Sequence, residues 1–106
     1  LEETSLVKEF RDAYTAKWGI GPDSFATNSY DATNILLSVI DEVGTDRKAI
    51  RDGFAAVKDF EGVNGTINFA ENGDLVAYQG IYEVEGNTPK YVGAFKIENG
   101  KVVKVN

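Results

Sequence analysis

The sequence contains no cysteine, no histidine and no methionine, and only 2 of its 106 residues are proline. Without cysteine there are no disulfides, zinc-thiolate sites or thiol nucleophiles, and the redox compartment is left open. Without histidine the commonest general base and metal ligand near neutral pH is missing, which weighs against enzymatic chemistry. Because a chain that starts at Leu1 and has no methionine does not begin at its own initiator, a native start upstream is expected. Positive charge is also scarce: 11 Lys and Arg against 17 Asp and Glu give a net charge of −6, which disfavours nucleic acid, whose phosphates need clustered cations. No apolar run reaches the length of a membrane span.

What is present is ordinary for a globular protein, with 42% hydrophobic and 26% charged residues, and one domain over residues 1–106 is expected. Leu6, Val7, Phe10, Tyr14 and Trp18 recur at three- and four-residue spacing, predicting an amphipathic helix over residues 4–18. Thr4 or Ser5 caps its start and Gly19 its end. After the Gly21-Pro22 turn, Asp23 or Ser24 caps a second helix over residues 24–43. Its apolar residues, from Phe25 and Ala26 through Tyr30, Ile35, Leu36, Leu37 and Val39 to Val43, cover much of its circumference, so it is expected to be the buried central helix.

A third helix over residues 46–58 follows Thr45 or Asp46, with Ala49, Ile50, Phe54 and Val57 inward. Gly53 inside it costs roughly 1 kcal/mol against alanine, so it is read as a close-packing point. The period then changes to that of strands, at residues 66–69, 78–84, 91–97 and 101–105, the last three forming an antiparallel meander. Helices followed by strands suggest, by themselves, an α+β arrangement.

Residues 60–74 carry the most specific pattern, Phe-x-Gly-Val-x-Gly-x-x-x-Phe-x-x-x-Gly-Asp, from Phe60 through Gly62, Val63, Gly65, Phe69 and Gly73 to Asp74. Two glycines three apart imply positive φ or a close approach of backbone, and Asn72-Gly73 a sharp turn. Upstream stand Phe10, Tyr14, Trp18-Gly19 and Pro22, then Ala26 with Tyr30-Asp31-Ala32. Together these residues resemble the type I periplasmic solute-binding proteins of the branched-chain amino-acid branch, which serve ABC importers. The resemblance implies an α/β fold, of which this chain is a C-terminal fragment of a bilobal protein several times longer. It further implies a non-enzymatic importer component that closes two lobes about a hinge, with residues 60–74 near an inter-lobe crossing. Its partners would be a small ligand such as an amino acid and, through the parent protein, the membrane subunits of the transporter. A periplasmic or extracytoplasmic location follows, with lipid anchoring upstream of Leu1. Helix surface that faces a sheet in the parent would be exposed in the fragment unless it associates with another copy or swaps segments.

The expected ligand-facing residues are Phe25, Ala26 and Asn28, at the head of the second helix. A helix N-terminus offers unpaired N–H groups and partial positive charge, and an aromatic ring there covers an apolar side chain. Packing is the competing reading of Phe25, as a hydrophobic staple or core residue. Asp31 is read chiefly as a carboxylate complementing the helix dipole, with an ammonium partner or perturbed base as the alternative. Glu71-Asn72-Gly73-Asp74 lacks the ligand spacing of a calcium loop, Asn64-Gly65-Thr66 is a formal glycosylation sequon read as a turn, and the tyrosine-rich strands are read as packing rather than a stacking platform. No catalytic, cofactor or metal site is expected. Three alternatives remain: a receptor's ligand-sensing domain, a small NTF2-like α+β domain using Asp31 or Asp41 as a pocket base, and a purely structural or assembly domain held together by its exposed faces.

Overall fold

The computed structural model describes residues 3–105. Among them the order is three helices, α1 (Ser5–Trp18), α2 (Ser24–Val43) and α3 (Arg47–Ala55), followed by six strands, β1 (Phe60–Gly62), β2 (Gly65–Phe69), β3 (Leu75–Val76), β4 (Gln79–Glu85), β5 (Thr88–Glu98) and β6 (Lys101–Lys104). The strands form two three-stranded sheets, ordered β1-β2-β3 and β4-β5-β6. The chain divides after Leu75 into two compact units.

Capping chemistry sets the helix boundaries of the first unit. Thr4, Asp23 and Asp46 each take the N-cap position with extended backbone, and their side chains accept from the N–H groups of Val7, Ala26 and Ala49. Gly19 ends α1 at φ 74, its N–H donating to the Thr15 carbonyl at 2.8 Å. The third helix stops at Ala55, three residues before the expected end. Ala56 donates to both the Asp52 and Gly53 carbonyls, Val57 donates to Phe54, and the positive φ of Asp59, 51°, prevents continuation.

The second helix is central, yet it is covered on one stripe rather than around most of its circumference. Asp31, Ile35 and Val39, spaced four residues apart, are its buried residues. Ile35 and Val39 form the core with Ile67 of β2, and Ile50, Phe54, Val57, Phe60 and Phe69 pack around them. Leu37, by contrast, is 58% exposed, and Leu36 and Val43 are exposed as well. Among the described residues α3 and the β1-β2 hairpin cover this stripe and α1 meets α2 at Tyr30, while Leu36, Leu37 and Val43 stay open. On α1, Phe10 meets Tyr30 of α2 with ring centroids 4.5 Å apart, and Tyr14 and Trp18 continue the aromatic row.

One polar contact runs through this unit. Asp31 is 3% exposed, and its carboxylate accepts the Val63 N–H at 2.8 Å on Oδ1 and, on Oδ2, the Asn64 N–H at 2.9 Å and the Asn64 Nδ2 at 2.7 Å. The charge is buried and fully hydrogen-bonded, the condition under which a buried carboxylate is tolerated. Its donors are the two turn residues of the β1-β2 hairpin, whose register pairs Phe60 with Ile67, Glu61 with Thr66 and Gly62 with Gly65. Gly65 adopts φ 97, a conformation costly for any residue with a Cβ. Gly62 serves a different purpose: a Cβ there would lie 2.6 Å from the Asp31 Cγ. The reading of Asp31 as chiefly a dipole-complementing carboxylate is therefore corrected, because its oxygens accept from a hairpin turn 32 and 33 residues away in sequence.

The second unit is the antiparallel meander, with β4 and β5 joined by Gly86-Asn87 and β5 and β6 by Asn99-Gly100, the two-residue turns typical of hairpins. The middle strand starts at Thr88 rather than at 91. Pro89 is accepted there because β6 pairs only with the Phe95 to Glu98 stretch of β5, leaving the proline beyond its reach. A bulge between Ile81 and Tyr82 brings Tyr82 opposite Tyr91, ring centroids 5.4 Å apart at 62°, and the Tyr82 ring lies over Gly80.

Two tests follow for the first unit. A Cβ on Gly53 would sit 2.5 Å from Val39 Cγ1, and Val39 is only 4% exposed. Gly53→Ala is therefore expected to destabilise by about 1–2 kcal/mol in urea unfolding, overpacking outweighing the roughly 1 kcal/mol gain in helix propensity. Gly21→Ala, where nothing lies within 4 Å, serves as the control and should stay within about 0.5 kcal/mol. Asp31→Asn replaces one accepting oxygen by a donor facing donors, and should cost about 2–4 kcal/mol. It should also speed hydrogen exchange at the Val63 and Asn64 amides. Gly62→Ala acts on the same contact, so the double variant should lose clearly less than the sum of the singles; additive losses would mean that the two residues act separately.

Candidate functional site

The head of α2 is built by Asp23. Its Oδ1 accepts the Ala26 N–H at 2.9 Å, its carbonyl accepts the Thr27 N–H at 3.1 Å, and the Thr27 hydroxyl donates to the Ser24 carbonyl. Helix geometry leaves the Ser24 and Phe25 N–H groups without intrahelical acceptors, while the capping carboxylate already supplies the negative charge this end of a helix favours.

Phe25 projects from this end 80% exposed. Within this chain it is neither a staple nor a core residue. Asn28, also exposed, lies one turn further along the same face, so a flat apolar ring and a carboxamide with two donors and one acceptor stand side by side. Ala26 is half-buried beside them. Such a face can cover an apolar side chain and hydrogen-bond one polar group; it has no nucleophile and no base. Two open grooves lie elsewhere in the first unit. One, of about 580 Å³, runs between α2 and α3 along Val39, Val43, Gly53 and Val57, and one of about 250 Å³ lies beside Tyr30 and Phe60. Neither is lined by Phe25, Ala26 or Asn28.

Asp31 borders the smaller groove, but its oxygens are occupied by three donors, and Asp41 is an exposed residue of α2. Neither of these two acids stands free in a groove, and among the described residues the strands lie in two three-stranded sheets rather than the single curved sheet of an NTF2-like domain. Among the described residues no three His, Cys, Asp or Glu side chains gather to hold a metal, and no helix is long and apolar enough to cross a membrane. The shifted titrations are local to exposed helix faces. A hydrogen bond from Lys48, then one from Arg51, holds the Asp52 carboxyl below its usual range, and Lys8 does the same for Asp12. These pairs are solvated and add little to stability. Sequence reasoning missed the Asp31 contact, although its signal was present as two motifs, Tyr30-Asp31-Ala32 and Gly62-Val63-Asn64-Gly65, read separately.

No family model and no curated protein matches the sequence. Solved structures do. The leucine-binding protein LivK of Thermotoga maritima is 28% identical with a TM-score of 0.73, over 87% of this chain and 27% of that one. The branched-chain amino-acid transporter substrate-binding protein LivJ of Streptococcus pneumoniae, solved with isoleucine, is 27% identical with a TM-score of 0.73, over 87% of this chain and 27% of its own. A solute-binding protein of R. palustris in complex with benzoate has the same fold, at 24% identity and a TM-score of 0.73. The chain thus spans about 27% of the length of LivK and of LivJ. These neighbours are solute-binding proteins, not enzymes. Over 87% of its length the chain has the type I periplasmic-binding-protein fold and matches a segment of the branched-chain amino-acid ABC transporter solute-binding proteins.

Proposed function

We propose that the chain is the ligand-binding segment of an ABC importer's solute-binding protein, non-enzymatic and extracytoplasmic, which takes a small amino acid or related solute by closure of two lobes. The carrying observation is the likeness to LivK and LivJ at 27–28% identity across 87% of the chain. In this reading Phe25 covers the apolar part of the ligand, with Ala26 and Asn28 beside it, and residues 60–74 lie near the crossing between lobes. The exposure of Phe25 supports it: a ring left 80% open by its own chain is available to a ligand. The membrane subunits of the importer would be partners of the complete protein.

The test is calorimetry on the complete solute-binding protein with leucine, isoleucine and benzoate, beside amide shifts of this chain in the same solutions. Phe25→Ala should weaken binding about tenfold, the value of burying one aromatic ring incompletely, and leave the ligand-free melting temperature unchanged. Unaltered affinity, with no amide shift at Ser24, Phe25, Ala26 or Asn28, would remove these residues from the site. Failure of every ligand in the panel would remove the amino-acid assignment.

A further inference from the structure

The chain has three Asn-Gly pairs, Asn64-Gly65, Asn72-Gly73 and Asn99-Gly100, and all three lie in turns. Asn-Gly is the sequence most open to spontaneous deamidation, because glycine places no side chain in the way of its own attacking nitrogen. The deprotonated Gly backbone nitrogen forms a bond to the Asn Cγ, the Cγ–Nδ2 bond breaks, and the nitrogen leaves as ammonia. Water then opens the cyclic imide at one of its two carbonyls, giving aspartate or isoaspartate. No oxidant or cofactor is required.

The three sites are held differently. Asn72 bonds locally, its Nδ2 donating to Asp74 Oδ2 at 2.7 Å, and Asn99 sits at φ 51 in an exposed two-residue turn. Asn64 is tied to another element: its Nδ2 and its own N–H both donate to Oδ2 of Asp31, a residue 3% exposed. To react, the Asn64 carboxamide must leave Asp31 and turn onto the Gly65 nitrogen. The fold opposes this on both counts, since the side chain is bound and the turn backbone is bound by the same carboxylate. The nitrogen withheld is also the acceptor atom of the Asn64-Gly65-Thr66 sequon.

Reaction would remove the very group that prevents it. Replacing Nδ2 by oxygen sets a second carboxylate where a donor stood 2.7 Å from Asp31 Oδ2, in a half-buried place where like charges repel strongly. The isoaspartate product adds a backbone methylene inside a two-residue turn. We infer that Asn64-Gly65 is a conformation-gated deamidation site, protected while the hairpin is docked on Asp31 and, once modified during opening, unable to redock, so that the molecule retains a covalent record of having opened.

Wild-type protein held in mildly alkaline buffer, with and without urea, tests this by peptide mapping over time, with Asn99 as the internal reference. Relative to Asn99, Asn64 should react at least ~10-fold more slowly in buffer than in urea, because exchange of a docked group follows the opening equilibrium. A ratio unchanged by urea overturns the inference. Independently, Asn64→Asp should melt below Asn64→Ala, which removes the same hydrogen bond without adding charge. Equal or higher melting of Asn64→Asp overturns the self-locking step, and failure of Asn64→Asp to fold where Asn64→Ala folds supports it.

Discussion

The first unit depends on a buried negative charge that its own helix does not satisfy. Asp31 sits two turns into α2, beyond the region where a helix N-terminus stabilises a carboxylate, and its three donors all come from the β1-β2 turn. Unpaired, such a group would oppose folding by several kcal/mol; bonded to two backbone N–H groups and an amide it becomes a directional tie. Each side needs the other. The hairpin turn gains acceptors for N–H groups that point inward, and the helix gains donors for a carboxylate it cannot expose.

That tie also orders the packing around it. Asp31, Ile35 and Val39 form one stripe on α2, and each end of the stripe is met by a residue lacking a side chain, Gly62 of β1 at Asp31 and Gly53 of α3 at Val39. Between them Ile35 shares the core with Ile67. Two elements thus approach the same helix face through missing Cβ atoms, with the apolar contact in the middle and the polar contact at one end. Apolar packing alone tolerates small slides of a hairpin on a helix. A carboxylate bonded to two consecutive turn amides does not, since a shift of one residue would present a different set of donors. The polar end sets register, and the apolar middle supplies most of the stabilisation.

Much of this was legible in the residues, and the exceptions have a common cause. Thr4, Asp23 and Asp46, each one of two capping candidates, Gly19 as a stop and Gly53 as a close approach are local features, set by capping and sterics within a few residues. The three helices and the final meander followed from period together with capping and turn residues. The first hairpin was missed as a strand pair because β1 has three residues, too few to display alternation. The end of α3 was overrun because Val57 continues the apolar spacing, while the positive φ of Asp59 is not announced by its identity. Asp31 was misread for a related reason: an acid early in a helix is usually solvated, and only tertiary placement reveals the amides that recruit it. Phe25 was ambiguous between core and ligand, and its exposure removes the first reading within this chain.

The same helix joins the tie to the proposed ligand face. From the Asp23 cap to Asp31 is a little over two turns, ~12 Å of uninterrupted helix. Phe25 and Asn28 sit at the capped end of this rod, and Asp31 fixes the other end to the hairpin. A rigid element held at one end positions its opposite end more tightly than a loop does, which suits a contact that must meet a small ligand in one geometry. The ring of Phe25 need not be packed by its own chain to be well placed. Its direction is inherited from α2, and the rotation of α2 about its axis is set by which face carries Asp31. A buried charge costly by itself thereby fixes the orientation of an aromatic that is 80% exposed, and the two requirements, stability at the hairpin and availability at the cap, are met by one helix without competing for the same side chains.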